Sequence, residues 1–305
     1  MGLTFTATTH HVPYPAINVK SNSLPSPFNV CIVGASRDIG ANIAYSFATA
    51  GAMAIGICAP QAEIDVSPIP SKLRELNDST RLIYLPCDVT IPSEVEAFAS
   101  KMEDALGYID VLVYNAGYFG PWETRTASTP HDFSTAMDVN CKGLYLAAHF
   151  MLPLLKRSPR AGGGAVISIC SIGMHSTGGP GANTAYGISK LVQCRFIEML
   201  AATEPEIFTA AVHPGNVKTE MGKVTPKYIY DGTIFCPHSK DLTLMLTVAL
   251  PDDPSLCGSF IVWLIKKRRM WLSGRYLSSN WDVDELASKE AEIVHENKLK
   301  MRMVW

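Results

Sequence analysis

The sequence has no arrangement of cysteines that is typical of a metal site. Its eight cysteines stand singly, with no CxxC pair and no histidine at zinc-binding spacing. Most of them fall inside apolar runs such as residues 29–33, where a free thiol behaves as a small buried hydrophobic side chain. We therefore expect no bound metal ion, and a reducing compartment, the cytoplasm.

The sequence also lacks an excess of charge of one sign and any long hydrophobic run. Its 26 basic and 28 acidic residues nearly balance, which gives no reason to expect nucleic acid or an anionic membrane as a partner. The apolar run at 260–265 is far too short to span a bilayer, and residues 1–27 lack the pattern of a signal peptide. The only basic run, 266–269, is interpreted as a solvated helix end.

Apolar runs typical of β-strands alternate with helical stretches along the chain. Strands are predicted at residues 29–33, 53–58, 82–85, 111–114, 165–169, 209–213 and 275–278, and helices at 39–49, 93–106, 131–155, 184–203 and 254–266. The strands are mostly continuous apolar runs, as expected when parallel strands are covered on both faces. The pattern predicts an α/β fold: a single-domain, Rossmann-type, doubly wound parallel sheet of about seven strands with helices on both faces.

No repeat or linker divides the sequence into separate domains. We expect an N-terminal arm at residues 1–27, a catalytic domain at 28–281 and a C-terminal helical tail at 282–305.

The turn after the first predicted strand reads Val33-Gly34-Ala35-Ser36-Arg37-Asp38-Ile39-Gly40. Glycine is needed where the backbone turns sharply and where it approaches a pyrophosphate at a helix N-terminus, so the central domain is predicted to bind a dinucleotide.

This turn resembles the TGxxxGxG motif of the short-chain dehydrogenase/reductase family. The resemblance implies that cofactor binding involves Gly34, Ser36, Arg37, Ile39 and Gly40. Val33 replaces the threonine of the motif, and Asp38 replaces its middle glycine. A carboxylate at Asp38 is expected to cap the helix while bringing negative charge near the phosphates.

Three further segments resemble cofactor-binding motifs of the same family. They are Asp88-Val89, Asn115-Ala116-Gly117, and the segment after the sixth strand with Pro214, Gly215, Val217 and Thr219. In the second of these segments Tyr114 stands before Asn115, where the family has asparagine. Asp88 alone is equally typical of a turn at a strand end. His213, without a second ligand at metal-binding spacing, is interpreted as structural.

The end of the second strand favours NADP(H), with NAD(H) possible as well. NAD-dependent enzymes have an acidic residue there that binds the ribose 2′-hydroxyl, and this sequence has Cys58. Arg37 resembles the basic residue that accompanies a 2′-phosphate in NADP-dependent members of the family. The alternative is that Arg37 is an ordinary solvent-exposed loop residue.

Tyr186 and Lys190 lie four residues apart and therefore on one face of the helix 184–203. A phenol has a pKa near 10, and an adjacent ammonium is expected to lower it so that Tyr186 acts as acid or base. The family resemblance adds Ser171, as a hydrogen-bond donor to the substrate oxygen, and Asn140, as the holder of a water that links Lys190 to solvent. The alternative for Asn140 is a buried capping residue.

The predicted catalytic segment contains a second candidate serine and an unusual spacing. Ser168 is a rival to Ser171, although strand register points it the wrong way. The interval from Ser171 to Tyr186 is longer than usual in the family, which implies an inserted turn within residues 175–183.

The resemblance implies an oxidoreductase that interconverts a ketone and a secondary alcohol. Aromatic and methionine residues predicted at the mouth of the site favour a bulky hydrophobic substrate: Tyr118, Phe119, Trp122, Met174, His175, Met221, Tyr228, Tyr230 and Phe235. Residues 11–17 and 273–286 resemble fungal members, many from secondary metabolism. Alternatives are a member repurposed for non-redox cyclisation, isomerisation or elimination, or a dinucleotide-sensing protein.

A homodimer or homotetramer is also expected. Helices 131–155 and 184–203 carry more apolar residues than one covered face requires, among them Leu144, Leu146, Leu191, Phe196 and Leu200. In this family the equivalent helices pair between subunits. The alternative is that these residues simply pack on the sheet.

Overall fold

The computed structural model describes residues 4–121, 129–175, 183–224 and 250–303. Seven parallel strands form its centre: β1 Asn29–Val33, β2 Ala54–Ala59, β3 Arg81–Pro86, β4 Val111–Tyr114, β5 Ala165–Ile169, β6 Phe208–His213 and β7 Arg275–Ser278. Their order is β3-β2-β1-β4-β5-β6-β7, and each neighbouring pair is parallel. The strand order reverses between β1 and β4, and ligands of doubly wound sheets bind beside the carboxyl ends at such a point.

Helices cover both faces of this sheet. In chain order they are α1 Asp38–Thr49, α2 Gln61–Asp65, α3 Ile69–Leu76, α4 Pro92–Leu106, α5 Pro130–Ala136, α6 Gly143–Lys156, α7 Thr184–Thr203, α8 Ser255–Lys266, α9 Val283–Ser288 and α10 Glu290–His295. Helix α1 packs against α3 and α8, and α4 packs against α6. The predicted fold class is confirmed. Within the ranges described, no helix is long and apolar enough to cross a membrane.

Burial explains why the strands were readable as apolar runs. Every residue of β1, β2 and β4–β7 is buried, since each of these strands has helices on both sides of the sheet. The edge strand β3 is the exception, with Arg81 and Pro86 exposed at its two ends. A proline is tolerated there because an edge strand has one side free of ladder hydrogen bonds.

The predicted helix 131–155 is interrupted by a π-helical turn at Met137–Lys142, which joins α5 to α6. Helices α2 and α3 were not predicted. They are only five and eight residues long, and Pro68 and Pro70 interrupt any helical periodicity between them. These two features matter because the π-turn and α2 both contribute to the site.

The residues before 28 and after 281 pack on one another. Thr9 forms an antiparallel bridge with Trp281. The hydroxyl of Tyr14 donates to the carbonyl of Trp281 at 3.2 Å and accepts from the amide of Val283 at 2.8 Å. Ile17 is fully buried in the hydrophobic core, so the arm is part of the packed structure.

Candidate active site

A cleft of about 520 Å³ opens beside the carboxyl ends of β1, β2, β4 and β5, a size that suits a small-molecule ligand. Its walls include most of the predicted cofactor-binding residues: Gly34, Ser36, Arg37, Ile39, Asp88, Val89, Asn115, Ala116, Gly117, Tyr186, Lys190, Pro214 and Thr219. Gly40, Asn140, Ser171, Gly215 and Val217 do not line it. The structure therefore brings the predicted motifs together from five separate segments of the chain.

Two glycines allow the loop after β1 to close against the end of β4. Gly34 has a φ of +81°, and a Cβ on it would lie 2.5 Å from the backbone of Ala116. A Cβ on Gly40 would lie 2.4 Å from the carbonyl oxygen of Gly34, which also accepts a hydrogen bond from the side chain of Asn115. Gly40 thus allows close packing beneath the cleft and is not part of its wall.

Asp38 links the glycine loop to the segment after β6. It occupies the place of the family's middle glycine with a φ of +50°, in the left-handed region. Its Oδ2 accepts a hydrogen bond from the amide of Glu220 at 2.9 Å, and burial raises the pKa of its carboxyl. Its side chain makes no capping hydrogen bond to α1, so the predicted helix cap is wrong. The carboxylate bridges two loops across the cleft instead.

Arg37 and Ser36 bind the same acidic side chain. The Nη1 of Arg37 lies 2.7 Å from Oε1 of Glu63, and the hydroxyl of Ser36 donates to Oε2 of Glu63. Glu63 belongs to α2 and lines the cleft, and it was not among the predicted site residues. Its only signal in the sequence is an acidic residue shortly after Pro60, beyond the end of β2 where an acidic residue is expected.

Two residues near the carboxyl ends of β3 and β4, Asp88 and Tyr114, make structural contacts of their own. The carboxylate of Asp88 accepts hydrogen bonds from the amide and hydroxyl of Thr90, both at 2.8 Å, so it forms a strand-end turn while also lining the cleft. Tyr114 is fully buried, and its hydroxyl donates to the carbonyl of Val139. A Cβ on Gly143 would lie 2.2 Å from that hydroxyl, so Gly143 makes room for the larger side chain.

Tyr186 and Lys190 line one end of the cleft, and the side chain of Ser171 contacts Tyr186 from behind its wall. A hydrogen bond with the Ser171 side chain lowers the pKa of Tyr186, but burial outweighs it and raises that pKa to about 12. The Nζ of Lys190 donates to the carbonyl of Ile169 at 2.8 Å and lies 5.5 Å from the centre of the Tyr186 ring. The expected lowering of the tyrosine pKa by the ammonium is therefore wrong, because Lys190 points to Ile169 and burial dominates.

Burial disfavours the charged form of Lys190, as it does that of Tyr186. The side chain of Lys190 is 3% exposed, and burial lowers its pKa. Both groups are consequently shifted toward their neutral forms. The hydroxyl of Tyr186 is a proton donor at neutral pH in this arrangement.

Asn183 fixes the start of α7, where Tyr186 stands. Its Oδ1 accepts from the amide of Tyr186, and its Nδ2 donates to the carbonyls of Phe119 and Pro121, all at 3.0 Å. The Phe119 ring then lies 4.7 Å from the Tyr186 ring. Most of the predicted inserted turn at 175–183 lies outside the described residues.

His213 fixes the loop that carries Ser171, the predicted catalytic serine. Its Nδ1 accepts a hydrogen bond from the amide of Ile172 at 3.2 Å, next to Ser171. Burial lowers the pKa of His213 to about 3, so the imidazole is neutral and can accept. Ser168, the rival serine, is fully buried in β5 and does not line the cleft.

Asn140 lies in the π-turn, fully buried behind the cleft. Its Oδ1 accepts from the amide of Tyr118 at 2.7 Å, and its Nδ2 donates to the carbonyl of Tyr118 at 2.9 Å and to the hydroxyl of Ser189 at 2.8 Å. The side chain is a clamp between the segment after β4 and α7. A Cβ on Gly117 would lie 3.6 Å from Oδ1 of Asn140 and 3.7 Å from Nζ of Lys190, so Gly117 leaves the space between them open.

The segment after β6 contributes only two of its four predicted residues to the cleft. Pro214 and Thr219 line it. Gly215 has a φ of +93°, and a Cβ on it would lie 2.7 Å from Oδ2 of Asp252. Val217 is buried and forms a parallel bridge with Asp252. The structure therefore gives Gly215 and Val217 a role in holding this segment in place, and does not put Val217 in the wall of the cleft.

The predicted substrate-facing residues divide into three groups. Tyr118 and Met221 line the cleft, next to Phe119. Met174 is buried with its sulfur 3.4 Å from that of Cys170, and His175 packs edge-on to Tyr276 at 5.1 Å, so these two residues face the interior. Trp122, Tyr228, Tyr230 and Phe235 lie outside the described residues.

The cleft fits a nicotinamide dinucleotide. Gly34, where a Cβ would clash with the backbone of Ala116, lets the glycine loop close against the end of β4, and the cleft that results is lined from Pro60, after β2, to Tyr186. A family model described as short chain dehydrogenase matches residues 29–228. The chain belongs to the short-chain dehydrogenase family. It is an enzyme of the short-chain dehydrogenase/reductase type, and this family binds NAD(P)(H).

Fungal relatives resemble this short-chain dehydrogenase over nearly its whole length. Short chain dehydrogenase pgmD of Aspergillus terreus is 33% identical over 99% of this chain and 95% of its own length. Short chain dehydrogenase mpl6 of Monascus purpureus is 32% identical over 99% of this chain and 97% of its own. The expected resemblance to fungal members is confirmed.

Solved structures share the fold of this short-chain dehydrogenase. A dehydrogenase/reductase from Sinorhizobium meliloti has a TM-score of 0.69 at 24% identity, covering 85% of this chain and 96% of its own. A 7α-hydroxysteroid dehydrogenase complexed with NADH and 7-oxo glycochenodeoxycholic acid also has a TM-score of 0.69, at 22% identity, covering 87% and 96%. An alcohol dehydrogenase from Thermococcus sibiricus, complexed with 5-hydroxy-NADP, has 0.65 at 23% identity, covering 83% and 96%.

Proposed function

We propose that this short-chain dehydrogenase interconverts a ketone and a secondary alcohol on a bulky hydrophobic substrate, with NADP(H) as the preferred cofactor and NAD(H) as a second one. The observation that carries the proposal is the pair of Tyr186 and Lys190 at one end of the dinucleotide cleft, with Ser171 hydrogen-bonded to Tyr186. The relatives are fungal short chain dehydrogenases, in line with a role in the biosynthesis of a secondary metabolite. The cytoplasm is proposed as the compartment because the cysteines stand singly within apolar runs.

When bound, the nicotinamide cofactor supplies or accepts the hydride. The hydroxyl of Tyr186 gives a proton to the oxygen of the ketone and takes it back in the reverse direction. The Ser171 hydroxyl, already in contact with Tyr186, donates a hydrogen bond to the same oxygen. Lys190, whose Nζ lies 5.5 Å from the centre of the Tyr186 ring, supports the phenolate as the proton leaves, and a proton from solvent then restores the hydroxyl. The side chain of Asn140 is engaged with Tyr118 and Ser189, so its proposed role is to hold the segment after β4 against α7, and the expected bound water is not part of the proposal.

The preference for NADP(H) rests on Arg37 and Ser36. Both line the cleft near Cys58, where no carboxylate repels a 2′-phosphate, and a guanidinium binds a phosphate with two parallel hydrogen bonds. We expect NADPH to bind more tightly than NADH, and Arg37→Ala to narrow the difference. Equal affinities of the wild type for NADPH and NADH, measured by fluorescence titration, would show that Arg37 does not bind the 2′-phosphate and is an ordinary surface residue.

A bulky apolar substrate is supported by the side chains beside Tyr186. Phe119, Tyr118 and Met221 offer apolar surface, and Arg37 is the only arginine among the described residues of the cleft wall. A phosphorylated sugar or a small hydroxy acid needs cationic groups at the reacting end, and Arg37 lies at the opposite end. The 7α-hydroxysteroid dehydrogenase of the same fold is complexed with 7-oxo glycochenodeoxycholic acid, a bulky ketone.

The test is competition between a steroid-sized ketone and a small polar keto acid, followed by the oxidation of NADPH. We expect the bulky ketone to have the higher kcat/KM. A higher kcat/KM for the small acid would contradict the proposed substrate class. Conversion of a bulky substrate without oxidation of NADPH would favour the alternative of a non-redox cyclisation, isomerisation or elimination. The sequence feature that favours this alternative is Asp38, an acidic residue in the glycine loop.

The proposed assembly is a homodimer or homotetramer through α6 and α7. Five large apolar side chains on these helices are exposed: Tyr145, Ile188, Leu191, Val192 and Met199. Of the residues predicted for this contact, Leu144, Leu146 and Leu200 are buried in the core, so the proposed surface shifts to the neighbouring positions. An apolar patch of this kind is typical of a subunit contact.

A further inference from the structure

Glu63 occupies both hydrogen-bonding groups that the glycine loop offers to a 2′-phosphate. One carboxylate oxygen pairs with the Nη1 of Arg37 at 2.7 Å, and the other accepts from the hydroxyl of Ser36. The side chains of Arg37 and Glu63 are 49% and 30% exposed, and both residues line the cleft, so the ion pair is open to solvent and ligand. A carboxylate here has two acceptor oxygens in the place where a phosphate would present its own.

We propose that Glu63 limits the preference of this enzyme for NADP(H) by competing with the 2′-phosphate for Ser36 and Arg37. The proposal rests on the proposed function in one respect, the use of Arg37 and Ser36 as the 2′-phosphate site. An NADPH molecule that binds there must displace the carboxylate and then stands next to a like charge. NADH has no 2′-phosphate and leaves the Ser36–Glu63–Arg37 contacts in place.

The position of Glu63 is independent of these contacts, which makes the residue accessible to substitution. The amide of Glu63 donates to the carbonyl of Pro60 at 2.9 Å within the turn that begins α2. A second contact, from the hydroxyl of Ser67 to the carbonyl of Ser36 at 2.8 Å, also joins this segment to the glycine loop. An ion pair this exposed adds little to the free energy of unfolding. Neutral substitutions at Glu63 are therefore expected to fold.

The experiment measures dissociation constants of NADPH and NADH by fluorescence titration without substrate. The variants are Glu63→Gln, which keeps the size of the side chain, and Glu63→Ala, which removes it. Asp65→Asn is the matched control, because Asp65 is an acidic residue of the same helix that bonds Gln61 and does not line the cleft. It changes the net charge by the same amount as Glu63→Gln.

We expect both Glu63 variants to bind NADPH at least about fivefold more tightly than the wild type, since they remove a like charge next to the phosphate. NADH affinity should change by less than about twofold, and Asp65→Asn should alter neither constant. In Glu63→Gln/Arg37→Ala the gain in NADPH affinity should disappear.

The proposal is overturned if NADPH affinity in Glu63→Gln and Glu63→Ala is unchanged or weaker. Weaker NADH binding with unchanged NADPH binding would overturn it too, because Glu63 would then be an acceptor for the ribose hydroxyls. An equal gain in Asp65→Asn would reduce the effect to net charge. These outcomes are separate from the proposed function, which fails if the wild type prefers NADH or does not reduce bulky ketones, whatever the Glu63 variants bind.

Discussion

At the scale of single residues, the hydroxyl of Tyr186 is the group that the chemistry depends on most. We expect Tyr186→Phe to fold and to bind NADPH almost as the wild type does, because the ring keeps its contact with Phe119. Turnover should fall roughly 100- to 10,000-fold, the usual contribution of one general acid. Steady-state kinetics and a cofactor titration are the two measurements. Turnover within tenfold of the wild type would contradict the assignment.

The raised pKa of Tyr186 also predicts a pH dependence. A hydroxyl with a pKa of about 12 stays protonated through the neutral range, so the rate of ketone reduction should not fall there as pH increases. Alcohol oxidation needs the phenolate, and its rate should rise steadily with pH through the mildly alkaline range. Rate profiles of kcat in both directions test this. A reduction rate that already falls near neutral pH would show that the tyrosine pKa is lowered in the working enzyme.

Asp38 is a second residue, besides Glu63, whose substitution should tighten the binding of NADPH. Asp38→Asn removes the charge and keeps an oxygen that can accept from the amide of Glu220, whereas Asp38→Gly also removes the side chain from a backbone φ of +50°. We expect both variants to bind NADPH more tightly, by about fivefold or more, because a carboxylate no longer faces the phosphates. Weaker binding in Asp38→Asn would mean that the carboxylate itself is needed in the cleft.

At the scale of elements, the start of α7 depends on Asn183. Asn183→Asp keeps the oxygen that caps the helix and loses the donors to Phe119 and Pro121, whereas Asn183→Ala loses both. We expect Asn183→Ala to lower the free energy of unfolding by about 1–2 kcal/mol. Asn183→Asp should lower it less, yet reduce kcat about as much. Denaturant unfolding and kinetics separate the two functions of the side chain.

A kcat of Asn183→Asp equal to that of the wild type would show that the contacts with Phe119 and Pro121 do not position Tyr186.

Helix α7 was predictable in full because its periodicity and its capping residue are local signals. The π-turn at Met137–Lys142 was not, since it is imposed from outside the helix by the contacts of Tyr114 and Asn140.

At the scale of the whole molecule, the exposed apolar residues of α6 and α7 predict an oligomer. Met199 is 60% exposed and Val192 38%, and a charge at the centre of an apolar contact is costly to bury. We expect the wild type to be at least a dimer at micromolar concentration, and Val192→Glu/Met199→Glu to be a monomer by light scattering. Val294→Glu, at a residue of α10 that is 51% exposed, is the control and should not change the molar mass. A monomeric wild type would rule the assembly out.

The sequence by itself determined the strand and helix alternation, the glycine turn, and the common helix face of Tyr186 and Lys190. These features depend on neighbours within a few positions, so period and spacing reveal them. Only the tertiary structure decided the rest. The Arg37–Glu63 pair and the Asp38–Glu220 bond join segments 26 and 182 positions apart, and burial, not the nearby ammonium, decides the direction in which the pKa of Tyr186 shifts. Contacts between distant segments and loss of water exist only once the chain is packed, and no local pattern records them.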